Sequence, residues 1–127
     1  MHHLHYYMEM QKKKEEQRNT QDIYYVNSHL RQHIQSLKKH INKDDYKADV
    51  MELMHYTQGV NIWNVEYRNN LENPRVALAQ GVLAWRIIER AEVPNKEHER
   101  NKVKRLMMLL GHVDWHYTME FNALTRA

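Results

Sequence analysis

The chain has 127 residues, the size of one domain, and contains three glycines, two prolines and no cysteine. So few turn-forming residues disfavour a many-stranded β protein, and the lack of cysteine excludes disulfides, thiolate metal sites and cysteine nucleophiles. The net charge of +3 with neutral histidines permits a phosphate-rich partner without requiring one.

Apolar residues in the first part of the chain recur at steps of three and four, which predicts one face of a helix. The series is Ile23, Val26, Leu30, Ile34, Leu37 and Ile41. No apolar residue stands between Gln11 and Asp22, but glutamine, lysine, glutamate and arginine are good helix formers. We therefore predict one long helix with a polar middle. The alternative is a kink near Asn19, or a fresh helix capped by Thr20.

The rest of the chain predicts three further helices. The first covers 44–72. The second follows Asn73, a good capping residue, and Pro74, which suits the first helical position. It runs to about residue 93, is the most apolar segment and is expected at the centre. The last begins after Asn95 and carries an unbroken apolar stripe: Val103, Leu106, Leu110, Val113, Tyr117, Phe121 and Leu124.

Four helices joined by short links predict an all-α fold, a mostly antiparallel four-helix bundle. Small residues that would let a neighbouring helix approach closely are Ala77, Gly81 and Ala84. At 1.5 Å per residue, a first helix of 40 residues spans about 60 Å, about twice the helix 73–93. Within a single helical domain, 1–127, residues 1–20 are therefore expected to project as a polar N-terminal helical extension and 21–127 to form the bundle.

Basic residues cluster at two places, on the last helix and on the first. They are Arg100, Lys102, Lys104 and Arg105 in one cluster and Lys12, Lys13 and Lys14 in the other. Cations near a helix start are not favoured by the helix dipole, so the cluster on the last helix predicts contact with nucleic-acid phosphates instead. The three lysines on the first helix are predicted to contribute to the same contact. The alternative is a solvated basic face, and Glu15 and Glu16 directly follow the three lysines.

Two pairs of adjacent tyrosines stand on the predicted first helix: Tyr6, Tyr7, Tyr24 and Tyr25. Adjacent residues on a helix point about 100° apart, so both members of a pair cannot face one core. Because tyrosine is favoured in interfaces, these residues predict a protein–protein surface. The expected partner is a second copy of the chain, forming a homo-oligomer, or a larger complex.

Histidine spacing provides an alternative hypothesis. The pairs at i, i+4 are His29 with His33 and His112 with His116. This spacing lets one helix offer two imidazoles to a metal. Glu52 and His55 form the Glu-x-x-His unit of di-iron bundles, in a single copy. The candidate ligands for zinc or iron are therefore Glu52, His55, His112 and His116. A chain with ten histidines also contains such pairs by chance. The alternative is that the paired histidines, which flank the apolar stripes, form hydrogen bonds or face solvent.

The leading functional prediction is a non-enzymatic helical interaction or assembly protein without a cofactor. It would associate with itself or dock on a larger complex, and its basic helix faces would allow contact with nucleic acid. The alternative is a histidine-ligated metal-binding four-helix bundle, which would allow metalloenzyme activity. No apolar run approaches the length of a membrane span and the N-terminus does not resemble a signal peptide, so no membrane partner and a cytoplasmic location are expected.

Overall fold

The computed structural model of the chain describes residues 2–53 and 71–125, and within them it shows an all-α bundle. The helices are α1 (His2–Leu37), α2 (Lys43–Leu53), α3 (Pro74–Arg90), α4 (Lys96–Val113) and α5 (Trp115–Thr125). The all-α prediction is confirmed. Of the predicted helix 44–72, residues 44–53 are helical and 54–70 lie outside the described residues. Its predicted end is wrong, because residues 71 and 72 form a turn before Asn73 caps α3.

The first helix is continuous through its polar middle, as predicted. It has 36 residues, a length of about 54 Å. Thr20 does not cap a fresh helix, because its hydroxyl donates a 2.9 Å hydrogen bond to the carbonyl oxygen of Glu16, one turn earlier in the same helix. The helix ends in a short 3₁₀ turn, Lys38–His40.

The most apolar helix, α3, lies at the centre of the bundle, as predicted. It packs against α1, α2, α4 and α5, and its residues 76–85 are all buried. Asn73 caps it by accepting a 2.8 Å hydrogen bond from the backbone N–H of Arg75, and Pro74 occupies the first turn. A methyl group on Gly81 would lie 3.1 Å from Met107 Cε, so Gly81 is where α4 approaches α3 closely.

The prediction of one unbroken last helix is wrong. Asp114 adopts an extended conformation (φ −154°, ψ 115°) that ends α4, and α5 then packs against both α3 and α4. Folding back buries Phe121, whose ring meets Trp85 edge-on at a centroid distance of 5.7 Å. A straight helix would carry Phe121 past the end of α3, which is about 26 Å long. The described residues therefore contain five helices where four were expected in the whole chain.

Among the described helices, none combines the length and the apolar character that crossing a lipid bilayer demands.

Candidate interaction surfaces

The first half of α1 extends beyond the bundle, as its predicted length required. Residues 3–18 are all exposed, and Ile23 is the first buried residue of the helix. We call residues 3–22 the α1 arm. The lysines predicted to contact nucleic acid, Lys12, Lys13 and Lys14, lie on this arm and are exposed; adjacent residues on a helix point about 100° apart, so they do not share one face.

The tip of the α1 arm exposes large apolar side chains. Leu4, Tyr7 and Met8 are 66%, 65% and 63% exposed, and their spacing places them on one face of the helix. Tyr6 and Met10 extend this apolar surface around the helix, and the Tyr6 ring contacts the Tyr7 ring edge-on at 6.2 Å. Five exposed large apolar side chains within two turns form a patch of the kind that marks an interaction surface.

The second tyrosine pair lies where α1 enters the bundle. Tyr24 and Tyr25 are about half exposed, and the ring of Tyr25 lies 4.1 Å from the imidazole of His29. Helix geometry required only one tyrosine of each pair to be exposed, but both are exposed in each pair.

The four basic residues of α4 divide between two faces. Arg100 Nε donates a 2.6 Å hydrogen bond to Glu89 Oε1, and Lys104 Nζ lies 5.6 Å from the centre of the Trp85 ring. These two cations therefore face α3. Lys102 and Arg105 instead face α1, and neither forms an ion pair with another described residue. A cluster that is contiguous in sequence thus forms two separate surfaces.

Lys102 and Arg105 line a groove between α1 and α4, which we call the α1–α4 groove. Its volume is about 390 Å³. It is lined by Tyr25, His29, Gln32, His33, Ser36, Lys102, Arg105 and Leu106. Two cations without an ion pair in the described part of the chain, beside a serine hydroxyl and a glutamine amide, can hold a phosphate group by charge and hydrogen bonding.

The histidine pair on α1 is already engaged in this groove. His33 is buried and its Nε2 hydrogen-bonds Glu99 Oε2 on α4. Burial lowers the pKa of His33 below its usual value, although the hydrogen bond and charge of Glu99 act in the opposite direction. His33 Nδ1 has no partner among the described residues. His33 is therefore a buried contact between helices rather than a residue at the border of the apolar stripe.

The predicted metal ligands do not form a cluster in the described part of the chain. His112 and His116 belong to different helices, because α4 ends between them, and His116 Nδ1 hydrogen-bonds Asp114 Oδ1 at 2.9 Å. Glu52 pairs with Arg86 at 2.7 Å. His55 lies outside the described residues. No group of three metal-ligating side chains is found in residues 2–53 and 71–125.

The sequence patterns did not reveal two polar contacts, one fully buried and one to a buried carboxylate. Gln80 Nε2 donates to Asn27 Oδ1 at 2.7 Å, between α3 and α1, and both side chains are fully buried. Arg90 Nη1 donates to the buried Asp49 Oδ1 at 2.8 Å, between α3 and α2. Gln80, a polar residue within the most apolar helix, was the one signal in the sequence, because a buried amide needs a partner.

Comparisons of the chain with models of known protein families, with curated proteins and with solved structures find no significant match. The function is therefore inferred from the chain's own geometry.

Proposed function

We propose that the protein is a non-enzymatic assembly protein that associates with a second copy of itself through the α1 arm. One observation carries this proposal: a continuous helix leaves the bundle and exposes a cluster of large apolar side chains at its tip. Isolated helices are marginally stable in water, and most helices in proteins are stabilised by packing. A second helix lying along the arm would supply that packing and remove the apolar tip from water.

Paired glutamine substitutions on opposite sides of the α1 arm test self-association. Leu4→Gln/Met8→Gln removes two of the three apolar side chains on the tip face and leaves the net charge unchanged. Glu9→Gln/Lys13→Gln removes one negative and one positive charge at the same i, i+4 spacing, about 140° around the helix from the first pair. The measurement is mass by size-exclusion chromatography with light scattering at several protein concentrations.

We expect the unchanged chain and the Glu9→Gln/Lys13→Gln variant to form oligomers. The Leu4→Gln/Met8→Gln variant should associate about a hundredfold more weakly, because two large apolar side chains per chain lose their burial. A monomeric unchanged chain at every concentration, or equal association by both variants, would refute the proposal.

The α1–α4 groove favours a second candidate function, binding of nucleic-acid phosphates. Lys102 and Arg105 line the groove without an ion pair among the described residues, whereas Arg100 is paired with Glu89. Lys102→Gln/Arg105→Gln and Arg100→Gln/Lys104→Gln each remove two positive charges from the same helix. Binding to labelled double-stranded DNA and single-stranded RNA is measured by fluorescence anisotropy over a range of salt concentrations.

If the groove binds phosphates, the plot of log affinity against log salt concentration should be less steep by about two for Lys102→Gln/Arg105→Gln. The other pair should reduce the steepness less. Equal losses by the two pairs would assign the binding to overall charge. No salt-sensitive binding by the unchanged chain at low ionic strength would exclude this function.

A further inference from the structure

We infer that the α1–α4 groove binds single-stranded nucleic acid, with one base stacked on the Tyr25 ring and a neighbouring phosphate held by Lys102 and Arg105. The inference rests on the second candidate function, phosphate binding in this groove, and names the form of nucleic acid that the groove takes. Its basis is that one groove brings together an exposed aromatic ring and two exposed cations. Proteins that bind single strands combine these two features.

The Tyr25 ring is supported from within the groove and still has free surface. It lies 4.1 Å from the imidazole of His29, with the two ring planes inclined by 40°, so this contact restricts its orientation. Tyr25 is nevertheless 49% exposed, which leaves surface for a base. Any base can stack on such a ring, because every base has a π face.

The adjacent tyrosine provides the contrast. Tyr24 is 50% exposed but lines a different groove. The described lining of that groove contains one cation, Arg31, and Arg31 already takes part in another interaction. Equal exposure of the two rings therefore does not give them equal surroundings, and Tyr25 is the one that lies beside cations without an ion pair.

The charge of the α1–α4 groove favours a phosphate. Lys102 and Arg105 are three residues apart on α4, which places them on one side of the helix, and neither forms an ion pair with another described residue. No residue in the described lining of this groove carries a carboxylate. The groove between α2, α3 and α5 is lined by three carboxylates and two arginines, so it offers a phosphate no such excess of positive charge.

The shape of the groove favours a single strand over a duplex. Its volume is about 390 Å³, which can hold one nucleotide but not a double helix. His33, which is buried and hydrogen-bonded to Glu99 across the two helices, belongs to its lining. The bases of a duplex are stacked and paired with each other, whereas a single strand can turn one base out onto an aromatic side chain.

Matched tyrosine substitutions test the stacking. Tyr25→Leu and Tyr24→Leu each remove one half-exposed ring from adjacent positions of α1 and leave the net charge unchanged, and Tyr25→Phe keeps the ring. Binding of a labelled single-stranded DNA of mixed sequence, and of the duplex of the same sequence, is measured by fluorescence anisotropy at low salt. A mixture of the four nucleoside monophosphates serves as an unlabelled competitor.

We expect the single strand to bind more tightly than the duplex, although the duplex has the higher charge density. Tyr25→Leu should weaken single-strand binding by about tenfold and duplex binding by less than about twofold. Tyr24→Leu and Tyr25→Phe should bind the single strand within about twofold of the unchanged chain.

Three results would overturn the stacking while leaving phosphate binding intact. They are tighter binding of the duplex, equal losses from Tyr25→Leu and Tyr24→Leu, and displacement of the strand by monophosphates at an equal concentration of nucleotides, which would identify a free nucleotide as the ligand. Absence of binding to either nucleic acid overturns the second candidate function as well.

Photo-cross-linking locates the base on the unchanged chain. Single-stranded DNA that carries 5-iodouracil is bound, irradiated and digested, and the adducts are mapped by mass spectrometry. We expect the main adduct on Tyr25. Absence of an adduct there, or adducts mainly on Tyr24 or on the tyrosines of the α1 arm, would place the strand elsewhere and overturn the inference.

Discussion

Gln80 on α3 donates a 2.7 Å hydrogen bond to the side-chain oxygen of Asn27 on α1, inside the apolar interface of the two helices. The Asn27 amide in turn donates to the carbonyl oxygens of Leu71 at 2.7 Å and Asn73 at 3.2 Å. One buried side chain thus joins α1, α3 and the segment that caps α3. Because a buried amide without a partner is costly, this contact specifies how α1 is placed along α3.

Removing Asn27 is expected to destabilise the bundle strongly. Asn27→Leu removes the hydrogen bonds that the Asn27 side chain forms with the Gln80 amide and the Leu71 carbonyl. The free energy of unfolding should therefore fall by about 2–3 kcal/mol. Gln80→Leu should cost about 1–3 kcal/mol. Urea unfolding followed by circular dichroism, at one fixed protein concentration, measures both.

The double variant Asn27→Leu/Gln80→Leu completes a double-mutant cycle. It should cost less than the sum of the two single variants by about 1 kcal/mol, because it removes both partners of one hydrogen bond. Strictly additive losses would mean that the two amides are not energetically coupled.

Stability is expected to fall at mildly acidic pH because of His33. Burial lowers the pKa of His33 in the folded protein, so below about pH 6.5 the unfolded chain takes up a proton more readily than the folded one. The stability that this histidine contributes is complete above that pH and is lost as the pH falls toward the folded-state pKa. Melting temperatures from pH 8 to pH 5 measure it.

His33→Gln should flatten this pH dependence, whereas His29→Gln, at the exposed neighbour one turn away, should leave it unchanged. The prediction fails if the unchanged chain and His33→Gln lose melting temperature equally as the pH is lowered.

Gly111 is required where α5 folds back on α4. A methyl group there would overlap the Thr118 hydroxyl and lie 3.3 Å from Thr118 Cβ, and threonine is stiff because it is branched at Cβ. Gly111→Ala should therefore lower the free energy of unfolding by about 1–3 kcal/mol, measured by urea unfolding. Gly81→Ala should cost less, since it meets the flexible side chain of Met107.

The origin of this loss is checked by Gly111→Ala/Thr118→Ala. Truncating the side chain that the new methyl group meets should recover most of the stability. If the double variant is as unstable as the sum of both changes, the overlap is not the cause.

The ion pairs of α3 with α2 differ in burial, and this sets the order of their importance. Arg90 contacts Asp49, which is buried, whereas Arg86 contacts Glu52, which is 54% exposed. Arg90→Gln leaves a buried carboxylate without its cation, so it should lower the melting temperature more than Arg86→Gln does.

Neutralising the carboxylate supplies the control for that comparison. Asp49→Asn combined with Arg90→Gln should recover much of the melting temperature lost by Arg90→Gln alone. Equal losses from Arg90→Gln and Arg86→Gln would show that the burial of Asp49 has no energetic consequence.

Helical structure and the projection of the α1 arm were both predictable from the sequence. Apolar spacing identified the face of α1 from Ile23 to Leu37, and Asn73 with Pro74 located the start of α3. Length alone required an extension, because a helix of this length cannot be covered by helices about half as long. Adjacent positions on a helix required at least one tyrosine of each pair to be exposed.

Local spacing also identified candidate residues without showing how they are grouped. Arg100, Lys102, Lys104 and Arg105 are neighbours in sequence, yet two face α3 and two face α1. His112 and His116 have the spacing of a helical metal pair, but α4 ends between them. The neighbouring helices divide the basic residues, and the break at Asp114 places the two histidines on different helices.

The sequence by itself determined which segments are helical, where α3 begins and that α1 extends beyond the bundle, because these depend on the chain's own periodicity and length. Only the tertiary structure decided the break at Asp114, the burial of His33 against Glu99 and the bond between Asn27 and Gln80. Each of these depends on which neighbouring helix lies against a given face and on the relative position of the two helices along their axes. Periodicity defines a face relative to its own helix axis, but packing determines what that face meets.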